Sequence, residues 1–68
     1  MNLNLRKAVI ENLSTQNSES IKEIIDDAIT SKSENTLPGL GIMFEVYWNN
    51  INQTEKNDVV NIITQNLK

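Results

Sequence analysis

Apolar-periodic stretches alternate with short polar ones along the chain, and polar clusters at 14–20, 30–36 and 49–54 divide it into four segments. Over 3–13, a rotation of about 100° per residue gathers Leu3, Leu5, Val9, Ile10 and Leu13 on one arc, with Lys7, Glu11 and Asn12 opposite. That is the pattern of an amphipathic helix with one anomaly, since Arg6 projects into the middle of the apolar arc. In the second segment Ile21, Ile24, Ile25, Ala28 and Ile29 repeat at i, i+3, i+4, i+7 and i+8, while Lys22, Glu23, Asp26, Asp27 and Thr30 take the other face. Ser20 and Glu23 have the spacing of a capping box, so the expected helix starts at Ser20 and ends near Ser31.

The third segment opens on Leu37-Pro-Gly-Leu-Gly41 and continues as the apolar run 42–48, ending at Ile51. Its β-branched and aromatic residues are compatible with a strand, but length and phase favour a helix. Leu40, Met43, Phe44, Val46, Tyr47, Trp48 and Ile51 cover more than half of the circumference, and Glu45 and Asn49 share what is left. Pro38 suits the first turn, where its missing N–H costs nothing. Gly39 and Gly41 are assigned two tasks, unusual backbone angles after Pro38 and room for a closely approaching helix. A helix apolar on most sides has to be surrounded, so this segment predicts the centre of the molecule. Phe44, Trp48, Ile25, Val9 and Ile63 are then expected among the most buried side chains. The last segment runs from Asn52 or Thr54 to Leu67, with Val59, Val60, Ile63 and Leu67 on one face and a weaker capping pattern in Asn52 and Glu55. The expectation is an all-α fold: one small domain over 1–68, with four short helices packed around a central apolar helix.

Composition narrows the function more than it identifies it. At 68 residues there is room for one domain with marginal burial. The absence of Cys excludes disulfides, thiol nucleophiles and thiolate zinc sites, and the absence of His removes the commonest general base and metal ligand. Six Lys and Arg against nine Asp and Glu give a net charge of -3, and the bases are scattered, which disfavours nucleic acid and anionic membranes as partners. No run approaches the roughly 18 apolar residues of a membrane span, and the N-terminus lacks the pattern of a secretory signal, so the chain reads as cytosolic.

Each candidate site meets a structural alternative. Gly39-Leu-Gly41 does not make a dinucleotide loop, because Phe44 takes the place of the third glycine and no strand precedes it. Glu19, Glu23, Asp26 and Asp27 spread over a solvated helix face. Tyr47 and Trp48 lack the interleaved bases of a nucleic-acid stacking site and are assigned to the core. No catalytic, cofactor or metal residue is assigned. The structural candidates are Arg6, Glu45, Pro38, Gly39, Gly41, Phe44 and Trp48. Arg6 and Glu45 each interrupt an apolar stretch, and a pair between them would satisfy both; the alternative for Arg6 is to snorkel into water unaided.

Met1-Asn-Leu-Asn-Leu-Arg6, Ala8-Val-Ile10, Asn12, Asp27-Ala-Ile29, Leu37-Pro-Gly-Leu-Gly41, Phe44-Glu-Val46, Trp48 and Glu55-Lys56 resemble the small acid-soluble spore protein I family of spore-forming Gram-positive bacteria. The Leu-Pro-Gly-Leu-Gly and Phe-Glu-Val-x-Trp elements are its specific part. The resemblance runs nearly end to end and is poor at 14–23 and 30–36. It implies a minor protein made in the developing forespore and held in the spore core (the forespore cytoplasm), with no activity, cofactor or site attached. Better-known spore proteins that share part of the name coat DNA with basic helices around a Gly-rich turn, and this sequence has no such arrangement. The reading is a noncatalytic spore-core protein with a structural or protein-interaction role, through a protein partner or self-association over 37–51. The alternative is a weak DNA-binding spore protein.

Overall fold

The computed structural model describes residues 3–68; Met1 and Asn2, which open the family pattern, and the Leu3 side chain assigned to the apolar arc lie outside the described residues. Four α-helices follow one another, α1 (Leu3–Ser14), α2 (Ser18–Ser31), α3 (Leu37–Asn49) and α4 (Gln53–Leu67), with a 3₁₀ turn at Glu34–Thr36 before α3. The described residues contain no strand, so the 42–48 run is helical as its phase requires.

Local hydrogen bonding sets the boundaries. α2 begins three residues earlier than Ser20 would start it as a cap, because Asn17 is extended and its Oδ1 accepts from the Ser20 N–H at 2.9 Å. Asn caps as well as Ser, and the earlier start adds most of a turn with Glu19 near the positive end of the helix dipole. The helix stops at Lys32, whose φ of 52° and ψ of 27° are left-handed. In that last turn the Ala28 carbonyl also accepts from the Ser31 and Thr36 hydroxyls, at 3.1 and 3.3 Å. Thr36 also donates to the Ser33 carbonyl at 2.8 Å, so its hydroxyl serves the corner and not the N-terminus of α3. α4 has a complete capping box: Asn52 Oδ1 accepts from Glu55 N–H at 2.8 Å, and the Glu55 carboxylate accepts from Asn52 N–H at 3.2 Å.

α1, α2 and the 3₁₀ turn all pack against α3, whereas α4 shares only marginal contact with any element. Ile42 is 1% exposed and Ala28 9%, and no other described side chain is buried. The expected core is corrected on this point. Val9, Ile25 and Trp48 are half-buried, but Phe44 and Ile63 are each 43% exposed, because the helix that should cover the far side of α3 stands off from it. α3 is therefore the most contacted helix without being enclosed. The solvent-accessible surface of 5652 Å² exceeds the roughly 4,300 Å² of a compact monomer of this mass. The radius of gyration, 13.2 Å, likewise exceeds the roughly 11 Å of a compact 68-residue domain.

The roles assigned to the glycines are corrected too. Gly39 and Gly41 are helical, neither has a positive φ, and a Cβ built on either meets nothing within 4 Å. Neither backbone strain nor close packing calls for glycine there. Relative to Ala, each weakens α3 by up to about 1 kcal/mol.

Among the described residues one ion pair crosses between helices. Arg6 Nη1 donates to Glu45 Oε2, tying α1 to the narrow polar strip of α3, with the two side chains 33% and 48% exposed. At that exposure solvent screens the pair, placing it with surface ion pairs of about 0.2–1 kcal/mol and not with buried ones.

Two stability measurements follow. Ile42→Ala is expected to destabilise by about 2–4 kcal/mol, and Phe44→Ala, with its ring half in water, by about 1–2 kcal/mol. Thermal melting followed by circular dichroism ranks them, and equal or reversed losses would contradict the burial order. A double-mutant cycle on Arg6→Met and Glu45→Gln is expected to give a coupling of about 0.5–1 kcal/mol that shrinks as salt is raised; coupling above about 3 kcal/mol would mean the pair is desolvated.

Candidate functional site

α3 carries more apolar side chains than its neighbours cover. The elements packed against it bury Ile42 but leave an excess exposed: Val46, one turn beyond Ile42 on the same side, and Phe44 and Tyr47 farther round the helix. The rings form a surface cluster. Phe44 stands edge-on to Tyr47, with centroids 6.3 Å apart at 61°, and lies tilted against Trp48 at 5.7 Å and 32°. Lys56 of α4 places its Nζ 5.4 Å over the Trp48 ring, within cation–π range. Tyr47, assigned to the core from the sequence, is thus a surface residue, and Trp48 is half-covered.

Alongside the aromatic cluster an open trough of about 410 Å³ runs between α1, α2 and α3. Its walls are aliphatic except for Met43, Tyr47 and the hydroxyl of Ser14. A smaller recess of about 310 Å³ lies between α1 and the start of α3, where Pro38 and Gly39 form part of the wall. Pro38 occupies the second position of α3, so its missing N–H falls among the orphan donors of the first turn. Of the structural candidates, the structure joins Arg6 to Glu45 and Phe44 to Trp48, and leaves Gly41 exposed.

This arrangement suits apolar recognition. Among the described residues no three His, Cys, Asp or Glu converge to hold a metal ion, and no helix is long and apolar enough to cross a membrane. Glu19, Glu23, Asp26 and Asp27 are all exposed, and Asp26 accepts from Lys22 Nζ at 3.1 Å. Most of the cations are engaged: Arg6 with Glu45, Lys7 with Glu11 at 4.0 Å, Lys22 with Asp26, and Lys56 on Trp48. The remaining two, Lys32 and Lys68, end different helices.

The sequence pattern had located the apolar surplus of 37–51 but placed it inside. The available signal for the opposite outcome lay in α4. Its β-branched and Asn-rich composition, including Val59, Val60, Asn61, Ile62 and Ile63, lowers its intrinsic helix propensity.

Comparison with known proteins agrees over nearly the whole chain. The family model described as small, acid-soluble spore protein I matches residues 3–67. A protein of that name from Bacillus subtilis is 46% identical over 68 residues, covering 100% of this chain and 96% of the relative. Those from Halalkalibacterium halodurans and Bacillus cytotoxicus are each 44% identical over 68 residues and cover 100% of this chain, with 100% and 97% of the relatives. No solved structure matches. With the Leu37–Gly41 and Phe44–Trp48 elements inside the matched span, the chain belongs to the small, acid-soluble spore protein I family.

Proposed function

We propose that this chain is a noncatalytic protein of the spore core whose role is structural, exerted by packing its α3 face against another protein surface. The observation that carries the reading is the exposed band of Phe44, Val46 and Tyr47 beside an open aliphatic trough. Isolated exposed apolar residues are ordinary on any surface, but a contiguous apolar patch on a small chain is characteristic of an interaction site. Catalysis lacks a supporting constellation, since no nucleophile is set beside a base within this surface. The engaged and dispersed cations supply little of the phosphate neutralisation that duplex binding requires, which sets DNA binding second.

Two measurements test the proposal. A photo-crosslinking residue at Tyr47 is expected to form protein adducts in sporulating cells, recovered from the spore core, while the same residue at Asp27 on the charged face of α2 does not. Equal crosslinking at both positions, or none at Tyr47, would remove the α3 face as the contact surface. In gel shifts, duplex DNA is expected to bind no tighter than about 10 µM at physiological salt, within the range of nonspecific association. Submicromolar binding that weakens steeply with added salt would make DNA the target instead.

A further inference from the structure

α4 lacks a packing partner equal to its pattern. Val59, Val60, Ile63 and Leu67 fall on one face; Val59 is half-buried, but Val60 is 47%, Ile63 43% and Leu67 80% exposed. The stripe begins near the bundle and continues into water. Helices of up to about 12–15 residues are marginal in isolation even when Ala-rich, and the β-branched run here lowers the intrinsic propensity further. A helix of this composition depends on burying its apolar face.

The chain also carries a surface of the matching kind. The trough is walled chiefly by Ile10, Leu13, Ile21, Ile25 and Val46, with Tyr47 at its edge, and amphipathic helices bind such grooves through apolar side chains spaced one turn apart. α4 of the same chain is held away from it. The Asn50 side-chain amide donates to the Val46 carbonyl at 2.6 Å, Asn52 caps α4, and Lys56 sits 5.4 Å over Trp48, so the three residues between α3 and α4 fix the direction in which α4 leaves. Area supports a second copy as the occupant. Taken over the whole chain, the surface in excess of a compact monomer is about 1,300 Å², large enough to include the roughly 800 Å² that a standard interface takes from each partner. A helix and a groove on one chain form a self-complementary pair, and reciprocal exchange about a two-fold axis closes without leaving either exposed.

We infer that the chain forms a two-fold dimer in which α4 of each copy lies in the trough between α1, α2 and α3 of the other. The inference rests on the α3 side being an interaction surface and names its partner as a second copy. Apolar burial drives the association against the repulsion of two chains of net charge -3, so added salt strengthens it.

Sedimentation equilibrium of the full chain from about 1 µM to about 1 mM is expected to show a monomer–dimer equilibrium, tighter at higher salt. Leu67→Asp is expected to weaken it at least about tenfold, and because Leu67 is 80% exposed the substitution leaves the monomer folded; Ile63→Asp gives a second reading one turn away. In a mixture of isotope-labelled and unlabelled protein, filtered nuclear Overhauser contacts are expected between the Ile63 or Leu67 methyls of one copy and the Tyr47 ring of the other. A monomer at the highest concentration overturns the dimer, as does a sample whose α4 methyls contact only the Tyr47 ring of their own chain. A monomer that still crosslinks another protein through Tyr47 in spores overturns the dimer alone. A monomer with no adduct at Tyr47 overturns both readings.

Discussion

Scarcity of burial governs this structure. Ile42 is the large side chain fully withdrawn from water among the described residues, and it sits on the helix against which α1, α2 and the 3₁₀ turn all pack. A 68-residue chain has little interior to distribute, and here most of it lies along one side of one helix. Polar devices compensate at the joints. The carbonyl of Ala28, the other buried residue, receives two hydroxyls at the α2–α3 corner, and Arg6 reaches Glu45 where α1 crosses α3. Each contributes about a kilocalorie or less, but small domains have only a few kilocalories of net stability to begin with.

How much of this was legible depends on the range of the interaction concerned. The isoleucine stripe of α2 and the helical phase of 42–48 were readable because periodicity is local. The Asn52–Glu55 cap was readable for the same reason, since its partners lie three residues apart. Asn17 was missed as a cap because Ser20 and Glu23 offered a fuller motif nearby, and the competition between two adequate caps turns on fractions of a kilocalorie. The Arg6–Glu45 pairing could be framed from two charges in apolar stretches, although its partial exposure could not. Phe44 and Tyr47 went to the wrong side of the surface for a different reason. A helix apolar on most sides states that it wants cover, and says nothing about whether its own chain or another supplies it.

That distinction joins the fold to its family. Members of the small, acid-soluble spore protein I family match this chain along nearly its full length, and the Leu37–Gly41 and Phe44–Trp48 elements both lie on α3. The first begins the helix through Pro38 and two glycines that neither backbone geometry nor crowding demands, and the second supplies the surface rings. Shape and apolar contact are most of what α3 presents, with charge at two places: Glu45, held by Arg6, and Trp48, under Lys56.

The order in which the helices pack bears on how the chain reaches its shape. The close approaches join elements that follow one another or are separated by a single helix, so few segments distant in sequence must find each other. Proteins dominated by such local contacts fold in about microseconds to milliseconds, whereas a ribosome takes about 50–200 ms to add one residue. Once released, this chain can therefore acquire its helical arrangement in less time than was needed to attach its last amino acid.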